Sequence, residues 1–381
     1  MVYLTTRLNK QTHQMTLEEL MFGSDDIPQG TGFNYVGTST RTIVVDRVNE
    51  KYLERFDKGK LVRILLNYNS KYENLRAVPR KELYTEFRIP KKSGGLRKID
   101  APNTELMSAL RELKDIFERD FGALYHTSAF AYVRGRCAVD AVKKHQMNES
   151  RWFGKYDLSN FFGSTTLDFV LDMFSIIFPF SEIMKSNIGK AALSQALKLA
   201  FLDGGLPQGT PISPLITNIM MIPVDYKLTK VLNDFENQKF IYTRYADDFI
   251  ISSKYNFDFR KIEELIKKTL AEFNAPFTIK SQKTRYGSAN GANWNLGVML
   301  NKDGNITVGH KKKRQFKAML TSYVMDYKNG KRWEKTDVQV LDGYRNYYKS
   351  VEGSSIDEIV EKIGNKFGVN IPKLIKNDMR K

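Results

Sequence analysis

Cysteine is almost missing from this chain: Cys137 stands alone in 381 residues, which excludes an internal disulfide and a cysteine-based zinc site. Histidine is nearly as scarce, and His13, His126, His145 and His310 are too scattered to form a histidine-rich metal centre. No apolar run is long enough to span a bilayer, since the longest, around residues 211–224, is broken by Ser213, Thr217 and Asn218. The first twenty residues are polar and mixed rather than signal-like, so the expectation is a cytoplasmic protein with no membrane partner. Internal repeats and low-complexity tracts are also lacking, and Gly and Pro stand at ordinary levels, which argues against a fibrous or disordered chain.

What the chain has in excess is positive charge. Its 60 Lys and Arg against 43 Asp and Glu leave +17, enough to favour a polyanionic partner through counterion release and long-range steering. Plain solubility is the bland alternative. Residues 301–381 hold 18 Lys and Arg against 10 Asp and Glu, so nearly half the excess lies in the last fifth of the chain. Trp333, Tyr344, Tyr347 and Tyr348 are interleaved with those cations, a composition suited to tracking a phosphate backbone, although rings on helices more often fill cores.

Periodicity divides the chain. Residues 1–55 give weak signals and read as an N-terminal extension with a few short elements. Leu61, Ile64, Leu65 and Tyr68 recur at helical spacing within 56–78. The runs Glu86–Ile89 and Leu96–Ile99 flank a Lys-Ser-Gly-Gly turn and predict a hairpin over 84–99. A helix is expected from Pro102 to Phe117, a strand over 152–158, helices over 167–174 and 184–202, and a helical stretch from Pro214 to Phe235. A second hairpin is expected over 240–252, an amphipathic helix over 260–273, and short strands over 277–279 and 294–300. The remainder reads as mostly helical. This order implies an α+β core with an all-helical tail.

The chemistry gathers around Asp247 and Asp248, set in Tyr245-Ala246-Asp247-Asp248 at the tip of the second hairpin. Two adjacent carboxylates on half-buried strands repel unless a cation or a proton relieves them. Asp157 ends a short apolar strand and is followed by Phe161 and Phe162; alone it could be an ordinary helix N-cap. If its strand neighbours the hairpin, Asp157 and Asp247 face one site able to hold two divalent ions about 4 Å apart, a device for phosphoryl transfer. Between these acids lies Gly205-Leu206-Pro207-Gln208-Gly209-Thr210-Pro211, where Gly209 lets backbone approach a flat partner closely, unless the loop is merely structural.

Together these motifs resemble a reverse transcriptase of the bacterial retroelement kind, over roughly residues 84–300. The resemblance implies an α+β right-hand polymerase fold: an extension over 1–55, fingers over 56–150, a palm with an antiparallel sheet over 151–304 and a basic helical thumb over 305–381. It implies RNA-directed DNA synthesis from dNTPs, with two Mg2+ ions, or Mn2+ in their place, held by Asp157, Asp247 and Asp248. Phe162 matches the aromatic gate that rejects a 2′-hydroxyl. Gln208 and Gly209 match the segment against the nascent base pair, and Lys91 and Arg97 match the cations of a fingers hairpin that clamps the triphosphate. Lys283 resembles a general acid for pyrophosphate, with a solvated surface lysine as its alternative. Leu296 and Gly297 resemble the primer-grip turn. The run Lys311, Lys312, Lys313 and Arg314 would lie against phosphates, or be a solvated charge run.

The subgroup is less determined. Phe130 to Arg136 followed by Ala141 to His145 is similar to a retron region with an Asn-Ala-x-x-His pattern, but Ala141 takes the Asn place, and Asn295-Leu296-Gly297 stands where retrons carry Val-Thr-Gly. These departures lower the retron assignment and set the related unclassified and abortive-infection enzymes of phage defence beside retron-like ones as the expected group, with a structured non-coding RNA template, a cDNA product and an effector protein or a second copy as partners. A group II intron or diversity-generating type stays open. So does a polymerase-shaped RNA-binding protein that no longer polymerises.

Overall fold

The computed structural model describes residues 6–8, 11–13, 55–90, 94–122, 125–289 and 296–380. In chain order the strands are β1 (Thr6–Leu8), β2 (Gln11–His13), β3 (Tyr84–Pro90), β4 (Leu96–Pro102), β5 (Trp152–Asp157), β6 (Ile241–Tyr245), β7 (Asp248–Ser253), β8 (Arg285–Ser288), β9 (Met299–Leu300) and β10 (Ile306–Thr307). β5 to β8 form a four-stranded sheet in the order β6, β7, β5, β8. β1 pairs with β2 and β9 with β10. Apart from these strands and Arg55, the 1–55 extension lies outside the described residues, as do residues 294 and 295 of the strand expected over 294–300.

The chain forms two compact units. The first comprises residues 1–136, 154–251 and 257–285, and the second 137–153, 252–256 and 286–381. These units interleave along the sequence, whereas the fingers, palm and thumb expected above are consecutive.

In the first unit the β3–β4 hairpin runs from Tyr84↔Pro102 to Pro90↔Leu96, so the second strand continues three residues beyond the expected end. Asn103 then caps the helix Thr104–Asp115 by accepting from the Leu106 N–H at 2.9 Å, satisfying one of the first-turn donors. The stretch expected as one helix over 56–78 is two, Lys58–Lys71 and Glu73–Ala77, broken at Tyr72. The helix expected over 184–202 is shorter, Asn187–Lys198, because the Ser186 hydroxyl accepts from the Gly189 N–H and starts it there. Helices Leu167–Phe174 and Phe259–Glu272 match the expected spans to within a residue. Residues 277–279 make only an isolated antiparallel bridge, Leu158↔Ile279. An aromatic cluster of Phe117, Phe121, Phe174 and Phe180 closes the core, with Phe174 and Phe180 ring centroids 4.3 Å apart.

In the second unit, helices His310–Lys328, Lys335–Glu352, Ser354–Phe367 and Ile371–Arg380 bury Phe316, Leu320, Val324, Val338, Leu341, Ile356, Val360 and Leu374 in one apolar cluster. Burial of about 1.5 to 3 kcal/mol per large apolar side chain gives this part a core of its own. Among the described residues, no helix is long and apolar enough to cross a membrane.

Candidate active site

The sheet places the acids. Asp157 is the last residue of β5 and Asp248 the first of β7, and these strands are neighbours. They run antiparallel, because Leu158 N–H donates to the Asp247 carbonyl at 3.0 Å while, at the other end, Arg151 N–H donates to the Ser253 carbonyl at 2.8 Å. On the other side of Asp157, the Lys280 N–H donates to the Asp157 carbonyl at 2.8 Å and Ser159 N–H to the Thr278 carbonyl at 2.7 Å. The end of β5 is therefore held between the Asp247 turn and residues 278–280. The backbone thus brings Asp157 beside the Asp247–Asp248 turn.

Their turn is shaped by Ala246, whose φ of 57° is left-handed and lets the chain reverse between β6 and β7. Beneath it Arg244 is fully buried against Asp225, with Nε to Oδ1 and Nη2 to Oδ2 each 2.8 Å. Arg244 Nη1 donates to Asn218 Oδ1 at 3.1 Å and to the Ala246 carbonyl at 3.4 Å, and Tyr242 OH donates to Asp225 at 2.8 Å. A buried guanidinium tolerates that environment only when its donors are matched.

The electrostatics are those of crowded carboxylates. Burial, then the Asp248 charge, raises the Asp247 carboxyl above its usual range. Burial also raises Asp248, opposed by Lys155, whose ammonium lies 2.8 Å from Asp248 Oδ2. Asp157 faces two cations, Lys280 at 3.1 Å and Lys283 at 3.5 Å. Despite that proximity Asp157 Oδ1 is buried without a well-directed hydrogen bond, an oxygen suited to a cation. Among the described residues no three His, Cys, Asp or Glu side chains are gathered closely enough to hold a metal ion.

The glycine loop is bound by backbone to the short helix Phe161–Ser164 that follows Asp157 and to the β3–β4 hairpin. Leu206 N–H donates to the Phe162 carbonyl at 2.9 Å, and Asp100 N–H on β4 to the Gln208 carbonyl at 2.8 Å. Gly205 packs so closely on Gly163 that a Cβ there would lie 2.2 Å from the Gly163 carbonyl oxygen. Phe162, half-buried, crosses Phe161 edge to face at 5.6 Å. Arg97 is exposed on β4 and Gln208 is exposed in the loop. Lys91 lies outside the described residues.

Tyr132 follows a segment paired with β6. Residues 128–130 run alongside β6, with Arg244 N–H donating to Ser128 at 2.6 Å and Phe130 N–H to Arg244 at 2.9 Å. The next turn holds Tyr132 at φ 60°, with the residue 59% exposed. Burial, then the Asp247 charge, raises its phenol, while Arg97 lowers it, so both charges act on one ring. The motif spacings give no signal for Lys155, Lys280, Tyr132 or Arg244 as site residues. Period-two alternation along β5 could have marked Lys155, since it shares a face with Asp157.

Leu296, Gly297 and the Lys311–Arg314 run belong to the second unit. Leu296 and Gly297 are both left-handed, with φ of 57° and 87°. Lys312 donates to the Gly297 carbonyl, and Lys313 pairs with Glu352 at 2.8 Å. Of the four cations expected on phosphates, two are thus engaged within the protein, while Lys311 and Arg314 are exposed.

Acids on adjacent antiparallel strands, a glycine loop tied to the segment after Asp157 and a cationic hairpin define a right-hand polymerase. The chain belongs to the reverse transcriptase (RNA-dependent DNA polymerase) family, whose model matches residues 89–319, and its enzymatic class is RNA-directed DNA polymerase. Curated relatives include the Retron Ec73 reverse transcriptase of Escherichia coli, 27% identical over 69% of this chain and 82% of that protein. The Retron Ec83 reverse transcriptase of the same species is 27% identical over 74% and 87%. The Retron Mx162 reverse transcriptase of Myxococcus xanthus is 31% identical over 44% and 35%. Among solved structures, apo telomerase from Candida tropicalis, truncated from its C-terminal domain, is 15% identical over 59% of this chain and 54% of that one, with a TM-score of 0.40. Telomerase from Candida albicans, in complex with a TWJ fragment of telomeric RNA, is 12% identical over 76% and 54%, with a TM-score of 0.43. The chain spans about half the length of these two structures.

Proposed function

We propose that this enzyme makes cDNA on a dedicated structured non-coding RNA, as a retron-like reverse transcriptase in a prokaryotic anti-phage system, and that it does so in the cytoplasm. The retron names of its relatives and its excess of basic residues support the choice of partner. The single observation that carries the catalytic reading is the hydrogen bond from Leu158 to the Asp247 carbonyl, which sets Asp157 beside the Asp pair.

Hard carboxylate oxygens suit Mg2+, and the buried, poorly satisfied Asp157 Oδ1 fits a cation. Asp157 and Asp247 would hold it, completed by groups that substrate brings, with Asp248 beside them. A divalent ion bound there would lower the pKa of the primer hydroxyl and offset the triphosphate charge. Phe162 blocks a 2′-hydroxyl by bulk, and Gln208 and Gly209 carry the nascent pair. Arg97 and Lys91 neutralise phosphate, and Lys283 is positioned near Asp157 to give a proton to the leaving pyrophosphate. Leu296 and Gly297 grip the primer, and residues 305–381 serve as the thumb.

Primer extension on an RNA template with Mg2+, with the cognate RNA recovered by sequencing nucleic acid that co-purifies with the protein, tests this function. D247A and D248A are expected to abolish synthesis while RNA binding survives. Retained synthesis in both would overturn the assignment.

A further inference from the structure

Each of three lysines has a defined carboxylate, and the distribution is uneven. Lys280 and Lys283 both face Asp157, Lys155 faces Asp248, and no ion pair within 4 Å is formed by Asp247 among the described residues. Lys155 precedes Asp157 by two residues on β5 and so shares its face of the sheet. From there its long side chain reaches Asp248 on the neighbouring strand, at 2.8 Å. Both side chains are mostly covered, 27% exposed for Lys155 and 21% for Asp248. Fully exposed ion pairs contribute little, but a sheltered pair is screened less by solvent and salt.

We propose that Lys155 is a positioning residue that holds Asp248 and balances its charge, so that divalent cations meet Asp157 and Asp247 with Asp248 already occupied. This rests on the catalytic reading above. An ammonium on Oδ2 fixes the carboxylate's orientation at the first residue of β7, and through it the start of the strand after the Asp247 turn. It also subtracts one negative charge from a site of three acids. Without it the site is more negative, binds divalent ions more strongly in the absence of substrate, and leaves Asp248 free to swing toward them.

The test uses the full chain. Lys155→Met is expected to tighten Mn2+ binding several-fold, read from free Mn2+ by electron paramagnetic resonance without nucleic acid or dNTP. It should also lower kcat about tenfold with little change in KM for dNTP. Lys155→Arg, which keeps a donor to the carboxylate, should restore both. In an Asp248→Asn background, Lys155→Met should no longer change Mn2+ affinity, since the carboxylate it balances is gone. Unchanged Mn2+ affinity in Lys155→Met, or the same shift with and without Asp248, would overturn the proposal. If Lys155→Met fails to fold, Lys155→Arg with wild-type affinity beside Lys155→Gln with tightened affinity supports it, and equal affinities overturn it. Loss of the catalytic reading itself is read separately, from synthesis retained by D157N and D247N.

Discussion

Arg244 and Asp225 form a fully buried, two-pronged ion pair, and the same guanidinium reaches the carbonyl of Ala246, the left-handed residue before Asp247. Truncating one partner strands the other charge in the core. Asp225→Ala should cost about 3 to 5 kcal/mol, measured as a fall in the urea midpoint. Replacing both residues by apolar ones, as in D225L/R244M, should cost less than D225A alone. A double variant less stable than D225A would mean that the pair is not self-contained.

Phe162 is fixed at its backbone and freer at its ring. Its carbonyl receives the Leu206 N–H, while the side chain is half-buried and touches Phe161 by an edge. Phe162→Ala should therefore fold normally and accept ribonucleotides better. The kcat/KM ratio for dNTP over the matching NTP should fall about tenfold or more, which is about 1.4 kcal/mol of discrimination. The measurement is single-nucleotide addition on one primed RNA template, and an unchanged ratio would remove Phe162 from the gate.

Gly209 has φ 123°, and an added Cβ would lie 2.8 Å from the Asp100 carbonyl oxygen and 2.9 Å from Ile99 Cγ2. Neither neighbour is the loose end of a long side chain, so Gly209→Ala must move the loop away from β4. We expect a loss of about 1 to 3 kcal/mol in stability and a larger fall in kcat/KM for dNTP, because Gln208 moves with the loop. Thermal denaturation and steady-state extension separate the two effects. A Gly209→Ala enzyme with normal extension would show that this close approach serves the fold alone.

The hairpin acids, the helix Leu167–Phe174 and the amphipathic helix Phe259–Glu272 were legible because apolar periodicity and polar tips are local properties. Helix ends were less so. Tyr72 interrupts a continuous helical pattern, and the Ser186 cap outweighs favourable residues before it. Cross-strand partners were illegible in principle. Lys155 and Asp248 are 93 residues apart, Arg244 and Asp225 are joined by burial rather than spacing, and Lys280 reaches Asp157 only because residues 278–280 lie along the end of β5. Two cations of the Lys311–Arg314 run looked free as sequence yet serve Gly297 and Glu352.

His145, in the second unit, is a probe of stability against pH. It is fully buried, its Nδ1 lies 2.6 Å from Ser252 Oγ, and Ser252 in turn donates to Ser150 at 2.7 Å. Burial, with the nearby Lys144 charge, holds the imidazole down at about 3. Its folded pKa is below the unfolded value, so its contribution is intact above about pH 6.5 and is lost as pH falls toward 3. Below pH 6.5 the unfolded chain takes up a proton that the folded one refuses, at about 1.4 kcal/mol per pH unit. Urea midpoints between pH 7 and 5 should fall in the wild type, and that slope should flatten in His145→Gln. Equal slopes would show that the imidazole titrates normally in the fold.

The start of helix His310–Lys328 separates two kinds of lysine. Lys313 is partly covered and paired with Glu352, whose carboxylate also accepts from Thr307 and the Val308 N–H, each at 2.8 Å. Lys311 and Arg314 are exposed. If the second unit lies on RNA phosphates, K311A/R314A should lower the slope of log binding constant against log salt by about 0.7 per charge removed, or ~1.4 in all, with an unchanged Tm. Lys313→Ala should act the other way round, lowering Tm while leaving the slope nearly intact, because its charge is spent on Glu352. Filter binding of the co-purified RNA at several KCl concentrations gives the slopes. A steeper loss of slope in Lys313→Ala than in K311A/R314A would mean that the ion pair opens on binding and that Lys313 is the residue facing phosphate.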